Sequence, residues 1–170
     1  MREFKISFEA NKNSIPVRAT QSSAGIDIRL DNISDIYRFG IYKLSDKKVS
    51  KINSRLSKGK SFTLWPFDRV VCGNGFTIDM HKDCYAEVCS RSGLSAKQGI
   101  VVTNSPGIID SDYKKEVKTI LSNTTIGFKK LSYSERIAQL IIRHKTSCSI
   151  EGIETLSAVR DNGFGSSGKK

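Results

Sequence analysis

The sequence predicts an all-β domain, a sandwich or a barrel. Short apolar or alternating runs recur along most of the chain. Turn residues such as Pro66, Gly73-Asn74-Gly75 and Ser105-Pro106-Gly107 separate them every several positions. Residues 34–60, the one long stretch outside that rhythm, show no clean helical stripe either. At 170 residues the chain fits a single domain and can bury a sizeable core without staples. That domain is expected to span residues 1–157, with 158–170 as a flexible arm.

Phe4, Ile6 and Phe8 alternate with polar neighbours and give a half-buried strand over residues 2–8. Residues 11–23 read as a polar loop. The run from Ala24 to Leu30 alternates again and carries Asp27 inside a strand, where acids are disfavoured, so Asp27 needs a partner or a job. Residues 34–60 hold eight Lys or Arg against two acids, more than half of the net charge of +11. They read as a hairpin or a basic excursion spanning 31–60. A solvated insertion is the plainer reading, and a surface that grips nucleic acid or a partner protein the alternative.

Strands follow at 61–64, 69–72, 76–80 and 85–89. Arg91 to Gly99 suits a single helical turn, its amides open to an anion near Ser92 and Gly93. Ile100 to Val102 is a buried strand, 117–121 another, and 122–134 a polar connection. Arg136 to Ile142 is a buried strand interrupted by Gln139, which must be structural glue or a ligand contact. The tail from Arg160 to Lys170 cannot pack a core. Its basic residue, glycines, hydroxyls and single ring would suit a clamp that orders on a nucleotide.

Composition narrows the function. A pI near 9.6 implies an anionic partner (nucleotide, nucleic acid or acidic membrane), or simply lysines that confer solubility. Cys72, Cys84, Cys89 and Cys148 form no CxxC pair and, with only His81 and His144 beside them, suggest neither a zinc site nor a secreted disulfide scaffold. Free thiols in a reducing compartment are expected instead. Charges run through the first twelve residues, and no apolar run nears membrane length, so a cytoplasmic protein or one of the cell interior is expected.

The chemistry concentrates in residues 103–113. Asp110 follows Ile108 and Ile109, so its carboxylate is expected at the edge of a core. Asn104 and Tyr113 stand within the same short hairpin. An amide, a ring and a base so placed could hold a small planar ligand beside a general base. The plainer alternative is an ordinary hairpin with a solvated Asp.

Five stretches together resemble one family, the homotrimeric dUTP pyrophosphatases (dUTPases). They are Ala24-Gly25-Ile26-Asp27-Ile28, Ser90-Arg91-Ser92-Gly93-Leu94, Asn104 through Tyr113, Arg136-Ile137-Ala138-Gln139-Leu140, and Gly163-Phe164-Gly165-Ser166-Ser167-Gly168. They occur in the family's order and cover nearly the whole chain; residues 31–60 are covered least. The resemblance implies a jelly-roll β-barrel of the β-clip type with one short helical turn, three subunits with shared sites, and a Gly-rich arm closing over the nucleotide. It implies hydrolysis of dUTP to dUMP and pyrophosphate, which keeps uracil out of DNA and supplies dUMP for thymidylate synthesis.

The same resemblance assigns roles. Asp110 would activate a water against the α-phosphorus. Asn104 and the backbone from Gly107 to Ile109 would read uracil, and Tyr113 would lie under the deoxyribose. Arg91, Ser92, Gly93 and Gln139 would hold phosphate oxygens. Phe164 and Gly165 would close over the base, with Ser166, Ser167 and Arg160 toward the γ-phosphate. Mg²⁺ would be held by substrate phosphates and water, with Asp27 near those waters. Three departures stand out. Cys89-Ser90 replaces the proline common before the Arg, Lys114-Lys115 follows the motif tyrosine, and only three residues separate Arg160 from Phe164 where the family has four. A dCTP deaminase of related fold is the rival; it would want a catalytic Glu beyond the hairpin, for which Glu116 is the nearest acid.

Overall fold

The computed structural model describes residues 4–152, so Arg160, Phe164, Gly165, Ser166 and Ser167 lie outside the described residues. Alternating side chains define most strands. β1 (Ser7–Ala10), β2 (Val17–Arg18), β3 (Ile26–Arg29), β4 (Asn32–Arg38) and β5 (Tyr42–Lys43) lead into helix α1 (Asp46–Leu56). β6 (Phe62–Leu64), β7 (Arg69–Gly73), β8 (Phe76–Asp79) and β9 (Cys84–Cys89) precede helix α2 (Ser92–Gln98). β10 (Ile100–Val102), β11 (Gly107–Ile109), β12 (Lys118–Asn123), β13 (Lys129–Leu131) and β14 (Arg136–His144) complete the order.

Two five-stranded antiparallel sheets, β10-β12-β7-β4-β5 and β11-β9-β14-β3-β2, share one core, with two-stranded ladders β1-β8 and β13-β6 beside them. This is the expected all-β jelly roll. Ile28, Leu64, Val70, Ala86, Leu121 and Leu140 are fully enclosed in it. Its largest fully buried side chain is Phe76, which Phe8 meets edge-on at 5.7 Å. A register shift between Arg136 and Ala138 leaves Ile137 unpaired in β14, and Ile137 and Ala138 are both buried.

Residues 31–60 differ from the expected excursion. A hairpin is present, yet its first strand, β4, lies beside the central β7 and buries Ile33 and Ile36. The second half is a helix, giving two helices where a single turn was expected. Val49, Ile52, Asn53 and Leu56 follow the spacing of one helical face. Asn53 breaks the apolar pattern because it bonds backbone instead: Ile33 N–H donates to Oδ1 at 2.9 Å, and Nδ2 donates to Ile33 O at 2.8 Å. Two further stretches read as loop carry short strands, β2 within 11–23 and β13 within 122–134.

Candidate active site

The 103–113 stretch forms the edge of the second sheet. Among the described residues β11 pairs only with β9, through Gly107↔Val88, Ile108↔Glu87 and Ile109↔Ala86. Consecutive strand residues face opposite ways, and only one face of this edge strand is covered. Ile109 packs against the core while Ile108 is 54% exposed. Asp110 is therefore exposed rather than walled in by two aliphatics. It still borders a cleft of about 290 Å³, with Asn104, Gly107, Ile109 and Tyr113 on its own side and Val71, Lys118 and Ile120 opposite.

Local bonds shape that wall. Tyr113 N–H donates to Asp110 O at 3.1 Å, and Tyr113 Oη donates to Glu116 O at 3.1 Å, so the ring and the acid share one turn. A Cβ on Gly107 would stand 3.1 Å from Asn104 Nδ2; the glycine leaves room for that amide to lie over the hairpin. Glu116 faces elsewhere. Its Oε1 accepts from Gly75 N–H at 2.9 Å, so it is not placed as a base beside Asp110. Lys114, one of the departures, is tied to Asp79 at 2.6 Å. That contact holds the Asp79 carboxyl below its usual range.

A second cleft, about 440 Å³, is lined by Asp27, Arg91, Ser92, Gly93, Arg136 and Gln139, with residues 23–25 at its rim. Asp27 has found its partners. Oδ1 meets Arg91 Nε at 3.0 Å and Oδ2 meets Arg136 Nη1 at 2.9 Å, with the carboxylate 14% exposed. Arg91 Nη1 also donates to Arg136 O at 2.9 Å. Gln139 serves as glue, donating from Nε2 to Ser90 O at 3.0 Å, and a Cβ on Gly25 would strike its Oε1 at 2.6 Å. Ser90, present in place of proline, pins its turn by accepting from Val102 N–H at 2.8 Å. A Cβ on Gly93 would meet nothing within 4 Å, so this chain's own packing does not require glycine there.

The two clefts have no lining residue in common. The structure thus groups Asn104, Gly107, Ile109, Asp110 and Tyr113 in one place, and Arg91, Ser92, Gly93, Gln139 and Asp27 in another. Arg136 was not among the expected site residues. The signal for it was an arginine opening the strand paired with the Asp27 strand, since β14 pairs β3 through Gln139↔Asp27.

The dUTPase family model matches residues 55–168. A deoxyuridine 5'-triphosphate nucleotidohydrolase of Wolbachia pipientis is 33% identical over 179 residues, covering 99% of this chain and 100% of its own. One from Hydrogenobaculum sp. is 39% identical over 107 residues, 62% of this chain and 74% of its own. Among solved structures, a dUTPase of Staphylococcus bacteriophage 80alpha superposes with a TM-score of 0.72 over 96% of this chain and 98% of its own. At 19% identity that likeness speaks for the fold alone. The fold, the two clefts and these matches agree: the chain belongs to the dUTPase family.

Proposed function

We propose a division of labour for this family's reaction, the hydrolysis of dUTP to dUMP and pyrophosphate, which makes the chain a dUTP diphosphatase. The observation that carries it is a base-sized cleft shared by Asp110, Asn104 and Tyr113. Asn104 and the backbone from Gly107 to Ile109 read the uracil edge. Tyr113 lies under the deoxyribose and leaves no room for a 2′-hydroxyl. The Asp110 carboxylate orients a water and takes its proton as the oxygen attacks the α-phosphorus, the general-base step that water needs. Arg91 and Arg136 grip phosphate oxygens and offset the charge that develops there, aided by Ser92, Gly93 and Gln139. Asp27 holds the two guanidiniums in register. The arm brings Phe164 and Gly165 over the base, with Ser166, Ser167 and Arg160 toward the γ-phosphate.

Magnesium fits as a companion of the substrate. Both Asp27 oxygens are committed to arginines, and no group of three or more His, Cys, Asp or Glu that could hold a metal occurs among the described residues. Mg²⁺ prefers phosphate oxygens and waters to an all-protein cage. When bound it neutralises triphosphate charge. A dUTPase of phage phi11 of Staphylococcus aureus is described with a structural Mg(II) ion. We propose that the site is completed between copies of the chain in a trimer; that the two clefts share no lining residue supports this reading. No described helix is long and apolar enough to cross a membrane; the cytoplasm is the compartment we assign.

The test is pyrophosphate release from dUTP, dTTP, dCTP and UTP, with and without Mg²⁺, for the parent and Asp110→Asn. Selective dUTP turnover is expected, with Asp110→Asn slower by about 10²- to 10⁴-fold while nucleotide binding persists. Near-parental turnover by Asp110→Asn removes that residue from the mechanism.

A further inference from the structure

A third cleft lies away from both halves of the catalytic site, where α1 meets β6. It measures about 260 Å³, is floored by Ile52 and Phe62, and is bordered by Arg38, Arg55, Ser61, Thr63 and Trp65. We propose that this face binds single-stranded nucleic acid, the cleft taking backbone phosphates and the rings beside it taking bases.

Trp65 at its border stands with two further aromatic side chains, Phe39 and Phe128, and all three remain uncovered. Phe39 is 42% exposed, Trp65 41% and Phe128 63%. Trp65 meets Phe39 at 6.0 Å and Phe128 at 5.3 Å, both edge-on. The Arg38 guanidinium lies 4.3 Å over the Trp65 ring and backs one of its faces, which holds the indole in a fixed attitude. Exposed rings beside cations are what stacking on successive bases requires.

The charge around them has one sign. Arg55 stands in the last turn of α1, whose Lys47, Lys48 and Lys51 precede it, and Lys130 stands directly opposite Thr63 across the β6–β13 ladder. The acids of these elements are already engaged or distant. Asp68 is fully buried against Arg38, at 3.3 Å, and accepts from Phe39 N–H at 3.0 Å and Trp65 N–H at 2.9 Å. Asp35 is paired with Lys43, and Asp46 sits at the opposite end of α1 from Arg55. Arg38 Nη1 is buried and spent on that ion pair, so Arg38 serves to hold Trp65 and leaves the phosphates to Arg55 and Lys130. A second copy laid on this face would bring like charges together. A polyanion with planar bases matches both the charge and the rings.

Trp65 is the chain's single tryptophan, so its fluorescence reports on this face alone. The experiment titrates the assembled protein with a short oligothymidylate and with a duplex of equal length. The single strand should quench Trp65 emission and the duplex should not. Phe128→Ala should weaken binding about tenfold, the scale of one lost stacking contact. Arg55→Glu with Lys130→Glu should lower the slope of log affinity against log salt by about 1.4, two phosphate contacts at about 0.7 each. Both variants should hydrolyse dUTP at the parental rate, which certifies their folding. Absence of quenching, an equal response to duplex, or unchanged affinity in the charge-reversed variant overturns the proposal. So does Trp65 emission that shifts with protein dilution alone, which would mark the face as a contact between copies.

Discussion

Asp27 and Asp110 show how much a residue's neighbours decide. The need of Asp27 for a partner was legible, because a strand disfavours an acid; the identity of its two arginines was not, since both are far along the chain. For Asp110 the composition of its stretch was legible, but its exposure was not, because adjacent strand residues face opposite ways and only one face of β11 is covered. Cys72 gives a residue-scale prediction. Full burial in β7 pushes its thiol well above the ordinary range. The unfolded thiol ionises near pH 8.5 while the folded one keeps its proton, so rising pH favours the unfolded chain. Its contribution is present below that pH and is lost above it, at about 1.4 kcal/mol per pH unit. Urea melts at about pH 8 and about pH 10 should show a smaller alkaline loss for Cys72→Ala than for the parent, whatever its starting stability. Parallel losses would rule the effect out.

Most strands were readable from period-two alternation, and the exceptions have reasons. α1 escaped because Asn53 occupies the one position that would have completed its apolar face. β4 was masked because it carries Asp35 and runs, through β5, into the basic helix α1, so the whole stretch read as one charged excursion. The Asn53 side chain supplies both a donor and an acceptor to Ile33, beside the register shift between Ile33 and Asp35 in β4. Asn53→Ala strands two backbone groups and should cost about 2–4 kcal/mol, read as a lowered urea midpoint. Its turnover per folded molecule should match the parent. An unchanged midpoint would show that apolar contacts alone fasten α1 to the sheet.

At the scale of the whole molecule, the separation of the two clefts was not legible, because motif order carries no information about which surfaces meet. The proposed site, with its base from one copy and its arginines from another, would allow complementation between two inactive proteins. Asp110→Asn and Arg91→Ala should each be nearly inactive alone. Co-refolded in equal amounts, they should regain about a quarter of parental activity, since random assembly gives that share of sites both intact halves. No recovery would mean that each chain builds its own site. The tail's role stays tied to Phe164 and its neighbours, whose motif was readable although they lie beyond the described residues.

The clasp of Asp27 on Arg91 and Arg136 has a consequence for how tightly substrate can be held. A free arginine loses on the order of 0.5–1.5 kcal/mol of rotational freedom when a ligand immobilises it. Here that ordering is completed as the chain folds, so in the proposed site a triphosphate would meet cations already at rest.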